Sequence, residues 1–125
     1  MSNTNKVSMF AGLDALLEGK AADAAALFAS ALGGVWPPRR ALKLALWGVE
    51  RAIDYDAARA AGAEPLQAAV RAGMPTFRAG VLEARRAAVP RARLDDWAVR
   101  LAAAADDPLA DALAVIASLE SAADA

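Results

Sequence analysis

Three acidic clusters hold most of what this sequence offers for acid–base or hard-metal chemistry: Asp54-Tyr55-Asp56, Asp95-Asp96 and Asp106-Asp107. Paired carboxylates can share a proton or hold an oxygen-loving cation. Adjacent residues on a helix point about 100° apart, however, so neighbouring acids do not converge. Two of the clusters fall where helices are expected to start, a position that favours acids through the helix dipole alone. Arginines form the second group. Arg71, Arg78 and Arg85 recur every seven residues with Arg86, Arg91 and Arg93 close behind, a pattern able to gather an anion or an acidic peptide. Pro75 interrupts the first interval and no stacking aromatics interleave with these arginines. A solvated or internally paired face is therefore expected, and nucleic acid is not an expected partner.

The chain contains no histidine and no cysteine. Those absences remove the commonest general base, the commonest transition-metal ligand, the best covalent nucleophile and every disulfide. Neither a Gly-rich phosphate loop nor a nucleophile elbow nor a metal-ligand spacing is present. The expectation is a protein that is not an enzyme and carries no cofactor; an enzyme built on this chain would work with carboxylates and arginines alone.

The elements that must position these groups are helices. Gly and Pro divide the 125 residues into helix-length pieces, and almost no piece alternates with period two. A first helix is expected from a Ser8 cap to Glu18 and a second over Ala21 to Leu32, ended by Gly33-Gly34. A long third helix runs from Pro38 to Ala61, and a short one from Pro65 to Ala72. The next is expected from Pro75 to about Val89 with Phe77, Val81, Ala84 and Ala88 inward. Another carries Leu94, Trp97, Ala98 and Leu101 on its face with Asp95 and Asp96 in its first turn, and the last is launched by Asp107-Pro108 with Leu109, Leu113, Ile116 and Leu119. The fold class is all-α: a compact bundle or short array of about six to seven helices arranged as antiparallel hairpins. One domain is expected over residues 8–121, with tails at 1–7 and 122–125.

Much of the 58% hydrophobic fraction is alanine, so stability must come from many close helix contacts rather than a few large side chains. A net charge of -1 supplies no global field toward nucleic acid or anionic lipid. The charge is uneven: residues 71–100 are basic and 101–125 wholly acidic, which reads as internal complementarity between the two segments. The polar start and the interruptions at Asp14 and Glu18 do not fit a secretory leader, and no run of about 20 apolar residues exists. The expected location is cytoplasmic, with no membrane partner.

The stretch Ser8 to Pro37 resembles a single tetratricopeptide unit. Gly12 stands where that repeat has its first-helix glycine, and Ala24, Phe28 and Ala31 match its second-helix series. Ser8 and Ala15 replace the usual large first-helix residues, the closing proline comes one position late at Pro37, and a shift of about 34 residues lands Gly12 on Leu46 and Phe28 on Gly62, so there is no array. The resemblance implies a helix-hairpin scaffold of the kind that binds peptides or partner helices. From Ala21 to Arg51, the succession Leu27-Phe28-Ala29-Ser30-Ala31-Leu32 then Pro38-Arg39-Arg40-Ala41 also looks like an uncharacterised bacterial all-helical family, a likeness that implies no activity.

On a helical wheel the third helix places Leu42, Ala45, Leu46, Val49, Ala52 and Ile53 on one side and Arg40, Lys43, Glu50, Arg51 and Asp54 on the other. Trp47 falls among the charges. A tryptophan beside arginine has the composition of an interface hot spot, so Trp47, Lys43, Arg40, Glu50 and Leu44 are the candidate partner-binding residues. A second neighbouring helix packed on Leu44 and Trp47 would account for the same pattern. Trp36 is expected to fold back on the core and Trp97 to lie within it. The functional expectation is a protein–protein interaction module of a bacterial cell, an adaptor, chaperone or assembly component. The alternative is a homo-oligomeric structural protein whose extra apolar face closes on a copy of itself.

Overall fold

The computed structural model describes residues 9–32 and 39–122. They form seven α-helices and no strand: α1 Met9–Leu17, α2 Ala21–Leu32, α3 Arg39–Ala60, α4 Pro65–Arg71, α5 Ala79–Arg85, α6 Arg91–Ala105 and α7 Ala112–Ala122. A single 3-10 turn, Thr76–Arg78, leads into α5. Ser8, the Gly33-Gly34 stop, Trp36 and Pro38 lie outside the described residues, as do both expected tails apart from Ala122, which ends α7. No helix among the described residues is long and apolar enough to cross a membrane.

Sequence neighbours α1 and α2 pack together, but the two halves of the chain also interleave. The longest helix, α3, lies chiefly against α6, and α7 returns to cover α2. This closure makes the molecule a compact bundle rather than an open array. Its core runs through Leu13, Leu16, Phe28, Leu42, Val49, Tyr55, Trp97, Leu101, Ile116 and Leu119, all essentially buried, with alanines filling the gaps between helices. Small residues set how near the helices come. A Cβ placed on Gly48 in the middle of α3 would stand 2.1 Å from Leu13 Cδ1, so α3 and α1 meet backbone to side chain at that point. A Cβ on Gly12 would stand 2.9 Å from the Phe28 ring, closer than a normal contact, so the ring seats α2 directly on the α1 backbone there.

α4 stops on Gly73, which has φ +79 and donates its N–H to Val70 O at 3.0 Å, while Met74 N–H reaches back to Ala69 O at 2.9 Å. Only glycine takes that left-handed conformation without steric cost. Met74 is thereby turned into the core. The same closure ends α1 at Gly19 and α3 at Gly62.

The second half departs from the sequence reading in three places. No continuous helix spans Pro75 to Val89: the chain winds a 3-10 turn, then α5, then turns at Arg86–Ala88 so that Val89 is buried before Pro90. The inward set is Arg78, Ala79 and Leu82, one step along from that expected. Phe77 is 76% exposed, and Ala84 and Ala88 face out. Helix α6 begins at Arg91, so Asp95 and Asp96 sit in its second turn, and Asp106 caps its C-terminus rather than opening a helix. Finally, α7 is launched by Asp111, whose Oδ1 accepts from Ala114 N–H at 3.2 Å. Asp107 instead closes a local turn by accepting from Leu109 N–H at 2.9 Å, and Leu109 is left 90% exposed.

Candidate functional site

The arginine series is divided by the fold. Arg78 is 6% exposed, donates to Asp14 of α1 and stacks over the Phe10 ring with 4.4 Å to its centroid. Arg85 donates to Glu18, which directly follows α1, one turn on from Asp14. Arg86 Nε donates to Asp56 Oδ1 of α3 at 2.7 Å, and Arg91 reaches the same carboxylate at 3.5 Å. Arg71 is left exposed on α4. No continuous cationic stripe exists among the described residues. Among the described residues their long-range partners come from α1, the residue that follows it and α3, and none comes from the acidic segment after Leu101 as charge balance suggested. Asp14 and Glu18, which interrupt the apolar N-terminal stretch, are there to meet these arginines.

A second polar tie joins α5 to α3. Glu83 accepts Tyr55 O–H at 2.6 Å and Arg59 Nε–H at 2.8 Å through Oε1, and Arg59 also donates to Ala63 O at 2.9 Å. The Arg59 hydrogen bond, reinforced by that of Tyr55, holds the Glu83 carboxyl down at about 2. Burial, followed by the neighbouring Glu83, pushes the Tyr55 phenol up to about 12. Both groups are therefore driven away from neutral pH, fixed as carboxylate and phenol, whereas proton transfer needs groups poised near the working pH. Arg59 is in turn held protonated by its bond to Glu83, and Glu18 is held ionised by Arg85.

The acidic clusters are similarly occupied. Asp54 pairs with Arg51 at 2.9 Å, Asp95 with Arg91 at 3.3 Å and Asp96 with Arg100 at 3.8 Å. No group of three or more acids close enough to hold a metal ion exists among the described residues. A partly open cavity between α1, α3, α5 and α6 measures about 20 Å³, room for roughly one water. An open depression of about 360 Å³ lies over Asp56, Glu83 and Arg86, whose charged groups are already engaged, Asp56 with Arg86 and Glu83 with Arg59.

The structure keeps the five candidate residues of α3 along one helix. Lys43, Arg40 and Glu50 are exposed, and Leu44 and Trp47 are half-buried against the core. Arg39 beside them turns away to hold the carbonyls of Ala105 and Asp107 at the end of α6.

A different surface presents bare apolar area. Helix α4 buries Ala68, Ala69 and the following Ala72, yet carries Leu66 at 60% and Val70 at 61% exposure. These two line a shallow groove of about 330 Å³ with Gln67, Arg71 and Thr76, and exposed Phe77 adjoins it in sequence. The arrangement inverts the usual order, large residues out and small ones in. Sequence reasoning missed it because Phe77 was assigned inward. The wheel of α4 carried the signal: its alanines share one face, and Leu66 and Val70 lie away from them. Comparison with protein-family models, curated proteins and solved structures finds no match to the chain.

Proposed function

We propose that this protein is a non-enzymatic protein–protein interaction module, an adaptor or assembly component, that docks through the outer face of α4 and the adjoining Phe77. The observation that carries the reading is the inversion of α4. Leaving Leu66 and Val70 about 60% exposed forgoes roughly 1–2 kcal/mol of burial each, a cost expected at a surface completed by a partner. Phe77 adds an aromatic of the kind enriched in interface anchors. Several features support a binding role over catalysis: every acidic cluster is tied to an arginine or a backbone N–H, and Glu83 and Tyr55 are held in fixed charge states. The tetratricopeptide resemblance of the first hairpin suits the same class of function.

Photo-crosslinking side chains placed in turn at Leu66, Val70 and Phe77, in the cell that makes the protein, test the proposal. A discrete adduct from these positions and none from exposed Ala103 on α6 is the expected result. Adducts from Lys43 or Glu50 alone would move the docking surface to the Trp47 face, and no adduct from any position would refute the interaction reading.

A further inference from the structure

We infer that the partner seated on α4 is a second copy of this chain, related by a two-fold axis that sets the two α4 helices antiparallel. The inference rests on the docking surface just proposed and follows from how its residues are ordered.

At about 100° per residue, Leu66 and Val70 lie about 40° apart on one flank of the exposed face, and Arg71 lies on the other, two turns on from Glu64, the extended N-cap residue of α4. Gln67 stands between the flanks. Along the helix, Leu66 and Val70 are centred on residue 68, and Glu64 and Arg71 fall within half a residue of the same point. A two-fold perpendicular to the helix at that level keeps each flank on its own side while reversing its direction. Leu66 then meets Val70 of the other copy on the apolar flank. Glu64 meets Arg71 of the other copy on the charged flank, twice by symmetry. The two Gln67 amides face each other across the axis, each able to offer its NH2 to the other's Oε1, which also accepts the Glu64 N–H of its own chain.

Alternative occupants leave charges unmatched. A parallel pair would exchange the flanks and set Arg71 of one copy against Leu66 and Val70 of the other, and an acidic peptide that satisfied Arg71 would be repelled by Glu64. Neither Glu64 nor Arg71 makes an ion pair closer than 4 Å within the chain among the described residues, and both are exposed, although the Glu64 carboxylate also caps the start of α4 and lies within electrostatic reach of Arg59. The N–H of Glu64 is held by Gln67 Oε1 at 3.4 Å, which fixes the start of α4 in register for this pairing. With Phe77 at its edge the face still offers few large side chains, less than the ~1,200 Å² typical of stable interfaces, so the dimer is a reversible one that dissociates on dilution.

Because the chain has no cysteine, a single Gln67→Cys substitution reads the axis directly. Mild oxidation should yield a disulfide-linked dimer, whereas Ala103→Cys on exposed α6 should stay monomeric. In sedimentation, the unmodified protein should dimerise with rising concentration. Glu64→Arg or Arg71→Glu should each weaken the dimer roughly tenfold, since one change turns two symmetric contacts repulsive, and the double reversal should restore it. Circular dichroism confirms that each variant keeps its helices. A monomer at every concentration, a double reversal no better than the singles, or equal oxidation at positions 67 and 103 would overturn the inference. A monomer that still cross-links to a different protein through residue 66 would sink the two-fold and leave the interaction reading standing.

Discussion

Replacing Gly48 by alanine tests whether close helix approach holds this fold together. The new Cβ would meet Leu13 Cδ1 at 2.1 Å, Cδ2 at 2.5 Å and Cγ at 2.8 Å. All three atoms belong to a side chain that is completely buried, so Leu13 has no solvent to swing into. Overpacking of this kind costs about 1–3 kcal/mol, while exchanging glycine for alanine inside a helix returns about 1 kcal/mol. The net expectation is a loss of up to about 2 kcal/mol, toward the upper end because the clash involves the branch point of Leu13 as well as its tips. Gly80 is the control, for its Cβ would meet nothing within 4 Å and its backbone is ordinary helix. Gly80→Ala should stabilise by about 0.5 kcal/mol from backbone entropy alone. Urea unfolding followed by circular dichroism measures both, with Tm shifts near 4 °C per kcal/mol for a chain of this size. A Leu13→Ala substitution costs about 2–5 kcal/mol alone, but combined with Gly48→Ala it should cost less than the two together, because the cavity receives the new methyl. Stabilisation by Gly48→Ala equal to that of Gly80→Ala, or strict additivity with Leu13→Ala, would refute the close approach of α1 and α3.

Removing the charge of Asp14 with Asp14→Asn strands a nearly buried arginine, and stability should fall by about 2 kcal/mol in urea melts, whereas Arg91→Ala on the exposed pair with Asp95 should cost under about 0.5; similar small effects would mean that Arg78 is not held by Asp14. Glu83 has a folded-state pKa below its unfolded value, so its contribution is complete above about 4.5 and is lost as pH falls toward about 2. The stability gap between the unmodified protein and Glu83→Gln should therefore close across that window, and a constant gap would count against the Arg59 tie. The chain has one tyrosine, so near-ultraviolet titration reads Tyr55 alone; its midpoint should lie near 12, and in Glu83→Gln it should drop yet stay above 10 because burial persists. Leu109→Ser should change stability by less than about 0.5 kcal/mol, against about 2–5 for Leu119→Ala, and equal losses would place Leu109 in the core after all.

The first three helices were legible because their ends are written locally. Gly19 and Gly62 close α1 and α3, and the apolar stripe of α3 matches its buried face at Leu42, Ala45 and Val49. The phase of α5 was not legible. Reading charge as outward displaced the face by one residue, because Arg78 is neutralised by Asp14, a partner 64 positions away that no local pattern announces. The start of α7 was ambiguous for a different reason: Asp107 and Asp111 both carry the capping side chain, and only the turn consumed by Asp107 decides between them. As for the candidate surface, Trp47 was singled out for its chemistry and sits half-buried. Leu66 and Val70 stand apart from the alanines on the wheel of α4, but with Phe77 read as inward nothing in the sequence gathers them into a surface.

The packing of α7 on α2 also has a consequence in time. A ribosome releases the chain from its N-terminus, so α2 emerges long before the helix that covers it. Roughly 80 residues separate Leu32 from Ala112, and at about 5–20 residues per second the uncovered side of α2 stands open for between about 4 and 16 seconds. During that interval the nascent hairpin is a sticky half-product. Its safe passage depends on whatever shields it until the C-terminal helix arrives.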